Sequence, residues 1–199
     1  MDGAYLGGER SGPRGRGAKG KTLFVAAVET TEADKPHQII LRRVKGFSKH
    51  ALKKLAGTAL TPGAEVVSDV LACFFPAVVA AGCAHKVILT GSDPKAAKNP
   101  AFKWVNTVLV NINAALVGTY WAVRDQHPGR YLAEFEYRFN HRYDLGEMIP
   151  RLAAVAVTTA PMPYRLLTLA DVQAQSGRTN LVRGHSQLID GDLAKDLTK

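Results

Sequence analysis

Apolar and polar positions along the chain change period several times, and each change marks an element. LFVAAVE (residues 23–29) and HQIILRRV (residues 37–44) are apolar runs of strand length, separated by a polar turn containing Asp34 and Pro36; a β-hairpin is the simplest connection. Ser48 then stands as an N-cap before HALKKLAGTAL, a helix that Pro62 and Gly63 would stop. AEVVSDV (residues 64–70) reads as a buried strand ending on Asp69. LACFFPAVVAAG (residues 71–82) reads as a helix with Pro76 as a local fault and Gly82 as C-cap, followed by a strand over HKVILTG.

From Trp104 the period becomes helical. Val105, Val108, Leu109, Ile112 and Leu116 form one buried stripe, while Asn106, Val110 and Asn113 share another face, because seven residues is close to two turns. A second amphipathic helix follows, with Tyr131, Leu132, Phe135 and Phe139 apolar and Arg130, Glu134, Arg138, Asn140 and Arg142 polar or cationic. A shorter helix over EMIPRLAAVAV leads into TTAPMPYRLLTLA. Beyond Asp171 periodicity fades, which predicts a loose polar tail over residues 171–199 after one domain spanning residues 1–170. With a short first strand at Asp2, the order is three antiparallel strands and then alternating helices and strands. This α/β pattern is the one expected of a ribonuclease-H-like mixed sheet with helices on both faces, although other α/β layers also fit it.

Charge narrows the partners. The 199 residues carry a formal net charge of +9, which favours a polyanion such as double-stranded DNA. No apolar run is long enough to span a membrane and no signal sequence opens the chain, so a cytoplasmic protein is expected. The cationic candidates are the glycine-rich segment with Arg14, Arg16, Lys19 and Lys21, and the stretch holding Lys35, Arg42, Arg43, Lys45, Lys49, Lys53 and Lys54, which contains no acid after Lys35. Lys86, Lys95, Lys98 and Lys103 could add to it. Cys73 and Cys83 lack the spacing of a zinc site or disulfide framework and read as buried thiols. GRGAKGKT (residues 15–22) matches the phosphate-loop pattern letter by letter. A strand-like run follows it, however, and none precedes it, so the helix N-terminus that a phosphate needs is not predicted there.

Several short motifs point to a family. Asp2 stands with Tyr5, Gly7 and Gly8 in a D-x-x-Y-x-G-G pattern, followed by RGRG at residues 14–17, VSD at residues 67–69, VNT at residues 105–107, and YLAEFEYRFNHR at residues 131–142. Together they resemble the catalytic domain of ISXO-type insertion-sequence transposases, of the DDE superfamily, over about residues 2–170. The resemblance implies a ribonuclease-H-like fold and metal-dependent DNA strand cleavage and transfer with Mg²⁺ or Mn²⁺. It implies Asp2, Asp69 and Asn106 as metal ligands, and Asn106 and Asn113 as the third and fourth catalytic positions. It also implies transposon ends and target DNA as partners, Arg138 and Arg142 among the DNA contacts, and a homodimer or higher oligomer.

Two departures leave a second reading open. Asn113 stands where the family pattern has Lys, and Val110 where it has Gly. A single residue precedes Asp2, which predicts a truncated first strand. The chain therefore reads either as an active transposase domain or as a truncated remnant that only binds DNA.

Overall fold

The alternating runs pair as the pattern predicts. The structure is a computed structural model that describes residues 1–6, 21–89, 99–120 and 127–165. Strands β2 (Thr22–Thr30) and β3 (Pro36–Val44) are antiparallel, with Leu23 opposite Val44 and Val28 opposite Ile39. Their turn closes where Asp34 adopts φ +51° and donates its N–H to the Thr31 carbonyl at 2.9 Å; a short polar side chain tolerates this left-handed geometry. β1 (Asp2–Leu6) pairs antiparallel to the other edge of β2, with Asp2 opposite Ala26, so the order is β1-β2-β3.

Because side chains alternate across a strand, the sheet has two apolar faces, and helices cover both. Leu6, Phe24, Ala26, Ile39 and Leu41 pack against Val105, Val108 and Ile112 of α3 (Lys103–Tyr120) and Leu132 of α4 (Pro128–Asn140). Leu109, Leu116, Phe135 and Phe139 flank that core, as their helical spacing predicts. On the opposite face, Val25 and Val44 pack against α1 (Lys49–Ala59) and α2 (Phe74–Ala80).

The Ser48 hydroxyl caps α1 by accepting from the Ala51 N–H at 3.2 Å. Leu52, Leu55 and Ala56 are its buried positions, and Lys49, Lys53 and Lys54 are exposed. Helix α2 is shorter than the 71–82 span expected from sequence, and Pro76 is no fault in it. The proline is the third helical residue, where an N–H has no intrahelical partner to lose. Gly82 ends the helix at φ +73°. β4 (Glu65–Ser68) and β5 (Ala84–Val87) make a parallel pair, with Val66 opposite His85 and Ser68 opposite Val87; β5 stops short of the 85–91 span expected. A bond from the Met1 nitrogen to the Val67 carbonyl at 2.7 Å links the two sheets.

Helix α4 covers the outer edge of β3 as well as its face. The Asn140 amide accepts from Ile39 N–H at 2.8 Å and donates to Ile39 C=O at 3.0 Å. Two residues along the strand, Glu136 accepts from Leu41 N–H at 2.8 Å and pairs with Arg42, whose guanidinium also reaches the Leu41 carbonyl at 3.0 Å. At the other end Arg142 donates to the carbonyls of His37 (3.0 Å), Phe139 (2.8 Å) and Pro36. An open strand edge invites pairing with other chains, and these side chains close it.

Helix α5 (Leu145–Thr158) buries none of its residues, and Leu145, Ile149, Leu152, Val155 and Val157 are exposed. Residues 1–160 form one compact unit; beyond it residues 161–165 are described, and the polar tail expected over residues 171–199 lies outside the described residues. No helix among the described residues is long and apolar enough to cross a membrane.

Candidate catalytic site

Asp2 opens β1. Alternation puts it on the same face as Ala4 and Leu6, the face turned to α3. Gly3 points the other way, toward the Phe47 ring, where a Cβ would lie 2.7 Å from Cε1. Asp69 follows the last residue of β4, where the chain leaves the ladder after Ile88 N–H has bonded to the Ser68 carbonyl at 2.9 Å. Sixty-six residues of chain separate Met1 from Val67, and the bond between them brings Asp2 and Asp69 to the same junction.

Electrostatics support that proximity. Burial lowers the pKa of the Met1 amine, while the charges of Asp2 and Asp69 both act to raise it. Two carboxylates thus act on one ammonium, and each is oriented locally: Asp2 Oδ1 accepts from Gly3 N–H at 2.7 Å, and Asp69 Oδ1 accepts from Leu71 N–H at 3.2 Å. His85 on β5 adjoins them, with Nε2 2.8 Å from the Ser68 hydroxyl. Its pKa is lowered, first by burial and then by the Met1 amine.

On α3, Asn106 is half-buried, while Val110 and Asn113 on the same stripe are exposed. Asn113 lies two turns, about 10 Å, along the axis from Asn106. Among the described residues, no three His, Cys, Asp or Glu side chains group so as to hold a metal ion. Asp2 and Asp69 offer carboxylate oxygens, and Asn106 on α3 offers an amide oxygen. All are hard oxygen donors, the kind that Mg²⁺ and Mn²⁺ accept.

Residues 1–140 match the family model of the ISXO2-like transposase domain. The chain belongs to that family. It is an insertion-sequence transposase domain of the DDE superfamily. None of the curated proteins and none of the solved structures matches it. The matched region ends on Asn140, the last residue of α4, so α5 lies outside it.

The cationic positions of this transposase domain separate into groups. Arg14, Arg16, Lys19, Lys95 and Lys98 lie outside the described residues, as does most of the GRGAKGKT segment; β2 begins at Thr22, so a strand follows that segment. Lys45, Lys49, Lys53, Lys54, Lys86 and Lys103 are exposed, Lys21 is half-buried, and Arg43 is half-buried and engaged. Arg42 and Arg142 bond to Glu136 and to backbone carbonyls respectively, and Arg138 pairs with Glu134 one turn away at 2.5 Å. Arg138 and Arg142 were expected as DNA contacts, and the closure of the β3 edge by Glu136, Asn140 and Arg142 was not expected. The available signal was the four-residue spacing of Glu136 and Asn140, which turns two polar groups of α4 toward the neighbouring strand. Cys73 and Cys83 are buried thiols outside any disulfide, as their spacing implied.

Proposed function

We propose that this domain performs metal-dependent DNA strand cleavage and strand transfer in the transposition of an insertion sequence. The observation that carries the reading is the convergence of Asp2, on β1, and Asp69, just after β4, on the Met1 amine. A ribonuclease-H-like fold is supported by the Met1–Val67 bond, which links the β1 end of the three-stranded sheet to the parallel β4-β5 pair. In that reading Asp2, Asp69 and Asn106 hold Mg²⁺ or Mn²⁺. Such an ion, when bound, polarises the scissile phosphate, activates water or a 3′-hydroxyl and stabilises the leaving oxygen.

The chain's own residues divide the remaining work. Asp2 supplies negative charge from the first residue of β1, and Asp69 from the residue that follows β4. Asn106 supplies an amide oxygen without charge. Lys45, Lys49, Lys53 and Lys54 are exposed cations that would contact the phosphates of transposon ends and target DNA, with Arg43, Lys21 and the cations of the glycine-rich segment adding to them. Strand transfer at two ends calls for a homodimer or larger assembly.

A second reading, DNA binding without cleavage, is favoured by one observation. The Asn106–Val110–Asn113 stripe ends in an exposed amide where a cation would neutralise developing phosphate charge. One experiment separates the two. DNA carrying the element's terminal repeats is incubated with Mg²⁺ and the protein, and with its Asp69→Ala and Asn113→Lys variants. Cleavage that disappears in Asp69→Ala carries the first reading. Binding without cleavage by the parent and by Asn113→Lys refutes it, and cleavage by Asn113→Lys alone identifies a site inactivated at that position.

A further inference from the structure

The carboxylate of Asp69 can serve a metal only if the main chain at the end of β4 holds it in one orientation, and the structure shows what holds it. Ser68 is fully buried and polar, one residue before Asp69. Its hydroxyl donates to the Asp69 carbonyl at 3.0 Å. With that proton committed, the hydroxyl oxygen accepts from His85, whose Nε2 lies 2.8 Å away. The imidazole is thereby assigned as the Nε2–H tautomer, with Nδ1 as the bare nitrogen; Nδ1 is buried and has no hydrogen-bond partner among the described residues. A bare acceptor is the cheaper nitrogen to leave unpaired there, since nearby groups offer it no donor.

The ring has little freedom. His85 is fixed on β5 opposite Val66, and the Phe75 ring lies against it, with centroids 5.8 Å apart and planes inclined by 40°. The chain of contacts therefore runs from a strand-borne ring, through a buried hydroxyl, to the carbonyl of Asp69. On the other side of the same residue, the carboxylate Oδ1 takes the Leu71 N–H. The two bonds grip Asp69 by its main chain and by one carboxylate oxygen.

We propose that His85 is a positioning residue for Asp69, acting through Ser68 to fix the orientation in which the carboxylate meets a divalent cation. This inference rests on the reading of Asp69 as a metal ligand. His85 itself touches neither metal nor DNA in this role. Outer partners that orient ligating groups typically contribute about 10- to 100-fold in metal affinity, and the lower end applies to a bond relayed through a hydroxyl.

The test uses the full chain and Mn²⁺ alone, with free Mn²⁺ measured by electron paramagnetic resonance and unfolding followed in parallel. His85→Ala is expected to weaken Mn²⁺ binding about 10-fold, and Ser68→Ala by a similar factor. His85→Gln, whose amide N–H can still donate to the Ser68 hydroxyl, is expected to stay within about threefold of the parent by the same reasoning. Asp69→Asn is the reference variant. If it leaves Mn²⁺ binding unchanged, the metal reading fails and this inference with it. If Asp69→Asn weakens binding but His85→Ala does not, the positioning role alone is overturned. It is also overturned if His85→Gln loses as much affinity as His85→Ala, or if every loss tracks a fall in the folded fraction.

Discussion

Replacing Asn140 by Ala removes both bonds that close the β3 edge at Ile39. The amide accepts from the N–H at 2.8 Å and donates to the C=O at 3.0 Å, in a part-buried setting. A net contribution of about 1 kcal/mol per bond, with incomplete rehydration of the two exposed backbone groups, gives a loss of about 1–3 kcal/mol. Against a typical stability of about 5–15 kcal/mol this is a large fraction. Urea denaturation followed by circular dichroism reads it directly: at a slope of about 2 kcal/mol/M the midpoint falls by about 1 M. Asn140→Asp sharpens the test. One carboxylate oxygen still accepts from Ile39 N–H, but the other faces the Ile39 carbonyl where a donor stood, so the loss should equal or exceed that of Asn140→Ala. If Asn140→Ala leaves the midpoint in place, or Asn140→Asp matches the parent, the edge bonds do not stabilise the fold and the reasoning is wrong.

Three further outcomes follow from particular contacts. Gly3→Ala puts a Cβ against the Phe47 ring edge, at 2.7 Å before any adjustment; thermal unfolding should show a loss of about 1 kcal/mol, partly recovered in the Gly3→Ala/Phe47→Leu double variant. Lys49→Ala and Lys53→Ala should each lower the slope of log K against log salt for duplex DNA by roughly 0.9, measured by fluorescence anisotropy, and an unchanged slope would remove α1 from the DNA surface. His85 has a lowered pKa in the fold, so its neutral form contributes stability that is fully present above the ordinary imidazole value of about 6.5. That contribution is lost as pH falls from there through the lower folded value, and His85→Gln should flatten this part of the stability–pH curve.

What the sequence made legible was what periodicity encodes. Val105, Val108 and Ile112 at helical spacing are the buried face of α3, and the Ser48 hydroxyl caps α1. Pro76 misled because its effect depends on the position of the helix start, which lies three residues later than expected. Arg142 is a different case: a guanidinium at a helix end looks the same in sequence whether it meets phosphate or backbone carbonyls, and here it bonds to the carbonyls of His37 and Phe139. Asp2 and Asp69 were legible only as members of motifs. Their neighbourhood depends on a main-chain bond from Met1 to Val67, and main-chain bonds leave no mark on side-chain identity.

The closure of the β3 edge also has a timing. Ile39 and its partner Asn140 are 101 residues apart. At a synthesis rate of about 5–20 residues per second, strand β3 has left the ribosome roughly 5–20 s before α4 can cover it. During that interval the edge bearing Ile39 and Leu41 is open to any neighbouring nascent chain. A chain that meets another in that interval can pair along this edge, which the finished domain no longer offers.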